Sequence, residues 1–258
     1  MSTALLYVEA LTVSFDGFRA LNNLNLIVGR DERIRILIGP NGAGKTTLFD
    51  VLTGSVRPES GRVLFDDTVN LAALSEHAIA NRGVIRKFQT PSVFPGHTVF
   101  ENMVLAAGRK HFTATVTTRG GRLDWDRIRE VLDQVGLLAL AGEAAGTLSH
   151  GQKQWLEIGM LLVEDPTLLL LDEPVAGMTR PERDRTAALL DSIVQRTRCS
   201  IVLIEHDMQF VRQIAGRGHT VTVLHEGTVL SEGALERVQA DPRVVEAYLG
   251  RSRVTVAS

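Results

Sequence analysis

A glycine-rich segment at residues 39–47 has the residue types and the spacing of a phosphate-binding loop. Gly39, Gly44, Lys45 and Thr46 fit the pattern G-x-x-x-x-G-K-[ST] between an apolar run, IRILI, and a helix-like run, LFDVLTG. Glycines let successive main-chain N–H groups turn toward phosphate oxygens, and the helix dipole adds positive potential there. Lysine reaches the β- and γ-phosphates, and the threonine hydroxyl is a ligand for Mg²⁺. The alternative is a glycine-rich turn, but the strand-to-helix context favours nucleotide binding. The predicted binding residues are Gly39, Pro40, Asn41, Gly42, Ala43, Gly44, Lys45, Thr46 and Thr47.

Two later apolar runs end in side chains that can act on a bound nucleotide. Asp172 and Glu173 follow LLLL at 168–171, and His206 follows SIVLIE. The aspartate can hold Mg²⁺ through a water or through one of the ligands of the ion, the glutamate can polarise an attacking water as general base, and the histidine can donate to a γ-phosphate. The alternatives are solvated acids at a strand end and an ordinary surface or core histidine. Beside a phosphate loop we predict Glu173 and His206 as catalytic, and Thr46 and Asp172 at the metal.

The elements that must position these residues are short strands and helices. Residues 5–38 carry β-type runs, and the buried-strand runs at 168–171, 200–204 and 221–224 alternate with helix patterns, which predicts parallel βαβ units. Residues 90–165 are predicted to be mainly helical, with one face formed by Ile128, Val131, Leu132 and Val135. Ser149 and Gln152 form a capping-box pattern at a helix start. The stretch 113–122 is predicted to be an exposed loop.

Composition excludes several classes of protein. With 258 residues, 44% of them hydrophobic and 22% charged, the chain is expected to be folded and globular. Its 28 basic and 30 acidic residues give a net charge of −2, so no general attraction to nucleic acid is expected. Cys199 is the single cysteine, which fits a reducing compartment. No apolar stretch is long enough for a membrane helix, no signal peptide is visible, and a cytosolic location is expected. No metal centre beyond Mg²⁺ and no Ser-His-Asp chemistry is indicated.

The segment LSHGQ at 148–152 resembles the LSGGQ motif of ATP-binding cassette (ABC) ATPases. Together with the phosphate loop, KFQTPSVF, the DE pair and His206, its order and spacing are similar to one ABC nucleotide-binding domain. The resemblance implies an α/β P-loop NTPase core with an inserted helical subdomain at about 90–160 and a small N-terminal antiparallel β subdomain. It implies a single domain over 1–250, followed by a polar tail at 251–258.

The resemblance also implies roles for further residues. Phe15 would stack on adenine, with Phe18 as the competing aromatic, and Gln89 would sense Mg²⁺ and the γ-phosphate and act in catalysis. ATP and Mg²⁺ are the implied cofactors, sandwiched between two head-to-tail subunits. The ATP-binding residues supplied to the opposite subunit would be Ser149, Gly151 and Gln152. The anion site there also follows from helix capping, since Ser149 begins a helix.

Two positions depart from the family pattern. His150 stands where the family usually has glycine, which would be strained if the position needs a positive φ unless its ring makes a compensating contact. Thr179 stands where an aspartate is frequent, although Thr179 and Glu182 keep a capping-box pattern.

Four segments resemble the branched-chain amino acid and urea importer branch, and within it they are most similar to an ATP-binding subunit of urea uptake systems: LSHGQKQWLEIGMLL, RKFQTPSVF, LDEPVAGMT and DPRVVEAYLG. That implies two membrane permeases, a second ATP-binding subunit (a paralogue or a second copy), an indirect solute-binding protein and a location on the inner face of the membrane. The alternatives are a branched-chain amino acid importer ATPase and a cytosolic ATPase of the iron–sulfur assembly type. Glu173 and His206 argue against a nonhydrolysing module.

Overall fold

The computed structural model describes residues 4–87, 93–115 and 124–249. They fall into two compact units, the first being Met1–Val84 with Ser200–Ser258 and the second Ile85–Cys199. The strands are β1 Ala4–Phe15, β2 Phe18–Gly29, β3 Ile34–Ile38, β4 Ser60–Phe65, β5 Val69–Asn70, β6 Val84–Lys87, β7 Leu168–Asp172, β8 Ser200–Ile204, β9 Thr220–His225 and β10 Thr228–Gly233. The helices are α1 Lys45–Leu52, α2 Glu76–Asn81, α3 Val99–Thr115, α4 Trp125–Gln134, α5 His150–Leu162, α6 Arg180–Arg196, α7 Met208–Ala215, α8 Leu235–Ala240 and α9 Pro242–Leu249.

An antiparallel sheet in the order β2-β1-β4-β5 contains the N-terminal strands of the first unit. Alternating side chains of β1 are buried, among them Leu6 and Val8, as expected for a strand with one face on a core. The alternation shifts at Ala10, whose φ of +49° accompanies a register irregularity between Val8 and Leu11. The prediction of an N-terminal antiparallel β part is confirmed.

A second sheet of the first unit supports the phosphate loop. Its strand order is β10-β9-β3-β8, with β3 parallel to both β8 and β9 and β10 antiparallel to β9. Every residue of β3 and β8 is buried, which is typical of parallel strands covered on both faces. The predicted parallel pairing is therefore confirmed, and it fixes where β3 delivers the loop that follows it.

The second unit holds β7 and the helices α3 to α6. The apolar face predicted for α4 is buried, with Ile128, Val131 and Leu132 fully covered. On α5 the side chains of Trp155, Ile158 and Leu162 are buried, and the Trp155 indole N–H donates to the Thr186 hydroxyl at 2.9 Å. The helical interpretation of this region is confirmed for α3, α4 and α5.

The prediction of an exposed loop at 113–122 is wrong for residues 113–115. The helix α3 continues through Thr115, because a helix already underway tolerates threonine at only a modest cost in propensity. Residues 116–122, the tail at 251–258 and the segment 88–92 lie outside the described residues. None of the helices in the described ranges is long and apolar enough to span a membrane.

Candidate functional site

The phosphate loop is held in place by main-chain packing within the first unit. Gly39 has a φ of +153°, and a Cβ atom at this position would overlap the carbonyl oxygen of Leu224 in β9. Gly44 has a φ of +96°, and a Cβ there would lie 2.5 Å from the carbonyl oxygen of Ala20 in β2. The Gly227 N–H donates to the carbonyl oxygen of Ala43 at 3.2 Å. Only glycine fits at these two positions, so the loop is fixed by backbone against backbone.

The loop ends at the start of a helix. Gly44 caps α1 without a side-chain hydrogen bond, so the cap residue itself provides no side-chain acceptor at this helix start. The Nζ of Lys45 donates to the carbonyl oxygens of Gly39 at 2.7 Å and Pro40 at 3.1 Å, and so lies over the loop. Thr46 is exposed. These residues fit a nucleotide phosphate, because main-chain N–H groups, a positive charge and an exposed threonine meet at one helix end.

Two aromatic residues lie at the turn joining β1 to β2. Phe15 and Phe18 are register partners across the hairpin, with exposures of 46% and 65%. Asp16 and Gly17, both with positive φ, make the turn between them. Ala20 of β2, two residues after Phe18, lies beside Gly44 of the phosphate loop. Either ring is exposed enough to stack on a base, so the hairpin keeps both candidates for adenine.

His206 follows β8 and is exposed, whereas the preceding Glu205 is 1% exposed. The Glu205 carboxylate accepts hydrogen bonds from the main-chain N–H groups of His206 at 3.0 Å and Asp207 at 3.2 Å. The Glu205 N–H donates to Leu37 of β3, the strand that leads into the phosphate loop. The histidine backbone is therefore fixed on the same sheet as the loop. Sequence reasoning missed Glu205, although an acid at the end of an apolar run is a signal.

The strand β7 of the second unit delivers the two predicted carboxylates. Asp172 is 1% exposed, and its Oδ2 accepts from Arg86 Nη2 at 3.0 Å. Its other oxygen, Oδ1, is buried without a hydrogen-bond partner among the described residues. An unsatisfied buried carboxylate oxygen fits a metal-bound water or a metal, and Mg²⁺ takes few protein ligands alongside nucleotide phosphates. Glu173 has a φ of +48°, a rare conformation for a non-glycine residue that is often found at functional sites.

The strand β6 ends in two buried basic residues. Arg86 pairs with Asp172, and Lys87, which is fully buried, lies 3.1 Å from the Glu157 carboxylate on α5. Buried ion pairs are costly to break, so this end of β6 is held firmly within the second unit. Gln89, predicted two residues further on, lies outside the described residues.

The LSHGQ segment forms the start of α5. The Ser149 hydroxyl accepts from the Gln152 N–H at 3.2 Å, and the Gln152 side-chain oxygen accepts from the Ser149 N–H at 2.8 Å, so the predicted capping box is present. The Ser149 hydroxyl also lies 3.3 Å from Glu182 Oε1 and donates to it. A Cβ at Gly151 would lie 2.5 Å from the same oxygen. Sequence reasoning missed this use of Glu182, since 33 residues separate it from Ser149.

The Glu182 carboxylate is stabilised in its charged form. The main-chain N–H and the hydroxyl of Thr179 both donate to Oε2, at 2.9 and 2.8 Å. These two bonds, with smaller ones from Ser149 and the main chain of Gly151, lower the pKa of Glu182 below its usual value. The capping box predicted for Thr179 and Glu182 is confirmed, and the same carboxylate reaches the start of α5.

The departure at His150 is accommodated without backbone strain. His150 is the first residue of α5, and it is not among the residues with positive φ. Its Nε2 lies 3.0 Å from the carbonyl oxygen of Ala176, and the ring lies against Gly177. The ring contact that was expected to compensate for strain is therefore present, but the backbone of His150 is not strained.

Residues 21–176 of this chain match the family described as ABC transporter. The match covers more than half of the chain, and it spans the phosphate loop, the LSHGQ helix and β7 with Glu173. The chain therefore belongs to the ABC transporter family, and it is an ATP-binding, ATP-hydrolysing subunit of an ABC importer.

Within the family, the chain is an ATP-binding subunit of the branched-chain amino acid transporter type. Residues 228–253 match the family described as branched-chain amino acid ATP-binding cassette transporter. The chain is 35% identical to BraF of Pseudomonas aeruginosa, a high-affinity branched-chain amino acid transport ATP-binding protein, over 98% of this chain and 100% of BraF. It is 37% identical to LivG of Escherichia coli, which carries the same description, over 98% of this chain and 100% of LivG.

The fold is shared with solved ATP-binding cassettes. A cassette of an ABC transporter in its ADP conformation is 27% identical, with a TM-score of 0.79, and covers 97% of this chain and 99% of that chain. CbiO1 from Clostridium perfringens, part of the CbiONQ transporter complex, is 28% identical with a TM-score of 0.79 and covers 97% of each chain. The predicted fold class, an α/β P-loop cassette, is confirmed.

Proposed function

We propose that this chain hydrolyses Mg-ATP to power the uptake of branched-chain amino acids through membrane permeases. The observation that carries the proposal is the full-length similarity to BraF and LivG, both described as branched-chain amino acid transport proteins. The C-terminal match at residues 228–253 supports the same branch independently of the ATPase motifs. The alternative expected from the sequence is thereby favoured over urea.

Urea is the second candidate solute. Urea was expected from the similarity of the LSHGQ and LDEP segments to urea uptake systems, and the relatives reported above give it no support. An ATPase subunit need not touch the solute, so none of the site residues described distinguishes an amino acid from urea. The substrate is therefore a question for transport measurements.

The roles proposed in the first unit concern the nucleotide. Lys45 and the main-chain N–H groups at the start of α1 bind the phosphates, and Thr46 offers its hydroxyl to Mg²⁺. Phe15 stacks on adenine. His206 donates to the γ-phosphate, with its backbone fixed by Glu205. The open helix end and the exposed hydroxyl of Thr46 support these assignments.

The roles proposed in the second unit concern the attacking water. Bound Mg²⁺ would supply positive charge to the phosphate oxygens. Asp172 holds the metal directly or through a water, Gln89 is a further metal-sensing residue, and Glu173 accepts a proton from the water. Support comes from the unsatisfied Oδ1 of Asp172 and the unusual backbone of Glu173.

The proposed working unit is a head-to-tail pair of ATP-binding subunits on two permeases at the inner face of the membrane. Ser149, Gly151 and Gln152 of one subunit bind the ATP held by the other, so a lone subunit is inactive. A paralogue is the favoured second subunit, and a solute-binding protein acts indirectly. ATP-driven closure reorients the permeases, and product release reopens the pair.

The test measures uptake of labelled leucine and labelled urea in cells lacking this chain. The cells are complemented with the wild type, Glu173→Gln or Glu236→Gln, the last replacing an exposed glutamate on α8 as a matched control. We expect leucine uptake to be restored by the wild type and Glu236→Gln but not by Glu173→Gln. If urea uptake alone follows that pattern, urea replaces the amino acid. If neither uptake depends on the chain in a strain without redundant transporters, the importer role fails and a cytosolic assembly ATPase is favoured.

A further inference from the structure

The start of α5 is already occupied by a carboxylate of the same chain. Glu182 Oε1 accepts from the Ser149 hydroxyl at 3.3 Å and lies against Gly151, where an added Cβ would be 2.5 Å from the same oxygen. Ser149 and Gly151 are the residues that the proposed function assigns to the γ-phosphate of the opposite subunit. The carboxylate is therefore an internal anion at a position intended for an external one.

Counting hydrogens shows that the two anions compete. The Ser149 hydroxyl has one hydrogen, and the Gly151 amide has one. The N–H groups of Ser149 and Gln152 are also engaged, because the first donates to Gln152 Oε1 and the second to Ser149 Oγ. A phosphate that binds the hydroxyl and the Gly151 amide must displace Glu182, and two negative charges on the same donors would repel each other.

The displaced carboxylate has a second anchor. Thr179 binds Oε2 through its main-chain N–H and its hydroxyl. Oε1 can therefore leave Ser149 while Oε2 keeps the cap of α6, so release of α5 does not unfold the start of α6. The residue that departs from the family pattern, Thr179, is the one that supplies this anchor.

We propose that Glu182 is an autoinhibitory residue whose carboxylate closes the start of α5 until the γ-phosphate of the opposite subunit displaces it. The inference rests on the proposed head-to-tail binding of ATP. It makes the phosphate-binding end of α5 selective for a dianionic or trianionic phosphate group, since a weaker anion competes poorly with a carboxylate already in place. It also keeps the start of α5 satisfied in the lone subunit.

The experiment measures ATP-dependent dimerisation by sedimentation equilibrium across a range of Mg-ATP concentrations. The parent is the full chain carrying Glu173→Gln, which slows hydrolysis so that the ATP-bound pair accumulates. The test variant adds Glu182→Gln, which removes the charge while glutamine remains an accepted residue at this capping-box position. The matched control adds Asp184→Asn, which removes an exposed charge two residues away on α6.

We expect Glu182→Gln to lower the Mg-ATP concentration at half-dimerisation by about threefold, the effect of weakening one solvent-exposed charge-assisted hydrogen bond. Asp184→Asn is expected to change it less than twofold. Hydrogen exchange at the Gly151 amide in the nucleotide-free chain gives a second readout, and we expect faster exchange in Glu182→Gln than in the parent.

The outcomes separate this inference from the function on which it rests. If the parent dimerises with Mg-ATP and Glu182→Gln matches it, the competition is overturned while head-to-tail binding stands. If both charge-removing variants shift dimerisation equally, a general charge effect replaces the specific contact. If the parent binds ATP but stays monomeric at saturation, the head-to-tail arrangement fails, and the role of Glu182 fails with it.

Discussion

The starts of α1 and α5 differ in how they are capped. At α1 the cap is Gly44, which provides no side-chain acceptor, and Lys45 adds a positive charge over the loop. At α5 the cap is Ser149, the box is closed by Gln152, and Glu182 covers the end. We therefore propose that the first end binds an anion directly, whereas the second is covered by its own chain and has to be opened. Whether a helix start can bind an external anion therefore depends on whether acceptors of the same chain already cover it.

The contrast predicts that side-chain changes at the start of α1 have much larger effects than those at α5. The largest is expected from Lys45→Ala, which removes the charge from the phosphate loop. ATPase turnover should fall by about 100- to 1,000-fold, the usual result of removing one donor from developing charge. Steady-state ATPase assays on the assembled transporter check this, with Arg57→Ala, an exposed site in the same unit, as the charge control. Near wild-type turnover would remove Lys45 from the site.

A smaller but still large effect is expected on folding from Gly39→Ala. The added Cβ overlaps the Leu224 carbonyl, and main chain cannot move aside cheaply, so a loss of roughly 3 kcal/mol in the free energy of unfolding is expected without nucleotide. Gly42→Ala meets no atom within 4 Å and should cost only about 1 kcal/mol through its φ of +78°. Denaturant unfolding of both variants checks the comparison. Equal losses would show that backbone strain, and not packing on β9, fixes the loop.

At α5 the stability effects should be modest. His150→Ala removes the ring that lies 3.0 Å from the Ala176 carbonyl, and because the side chain is exposed we expect a loss of about 0.5–1 kcal/mol. The measurement is the urea midpoint of the variant against that of the wild type. An unchanged midpoint would mean that the ring does not hold Ala176 in solution.

The smallest effect concerns the pH dependence of Glu182. Because its folded pKa is lowered, its charged form stabilises the fold above the ordinary pKa near 4.5, and this contribution is lost as pH falls through the lower folded value. Solvent screening limits it to a few tenths of a kcal/mol. Glu182→Gln should therefore be slightly less stable than wild type at pH 7, and the difference should disappear as the pH falls below the lowered folded pKa. A difference that persists at the lower pH would show that the charge is not its cause.

How much of the structure can be predicted from the sequence depends on how far apart the interacting residues are along the chain. The phosphate loop and both capping boxes are local patterns, and Ser149 with Gln152 was predictable from three residues of spacing. The contact of Ser149 with Glu182 joins residues 33 apart, and that of Arg86 with Asp172 joins residues 86 apart. No local periodicity encodes such pairs, since they depend on how strands and helices pack. The identity of the solute could not be predicted from the site residues, because an ATPase subunit need not contact the solute.

The pairing of Asp172 with Arg86 has a consequence for folding and metal loading. The carboxylate proposed to face Mg²⁺ already has an opposite charge at 3.0 Å in the interior of the second unit. In small metal-binding domains whose folding depends on the bound ion, a chelator unfolds the protein. Here the interior is balanced beforehand, and the polypeptide can reach its native state with no ion bound. We therefore expect metal to be needed for turnover and not for folding, so a chelator should stop ATP hydrolysis while leaving the melting temperature of the nucleotide-free chain unchanged.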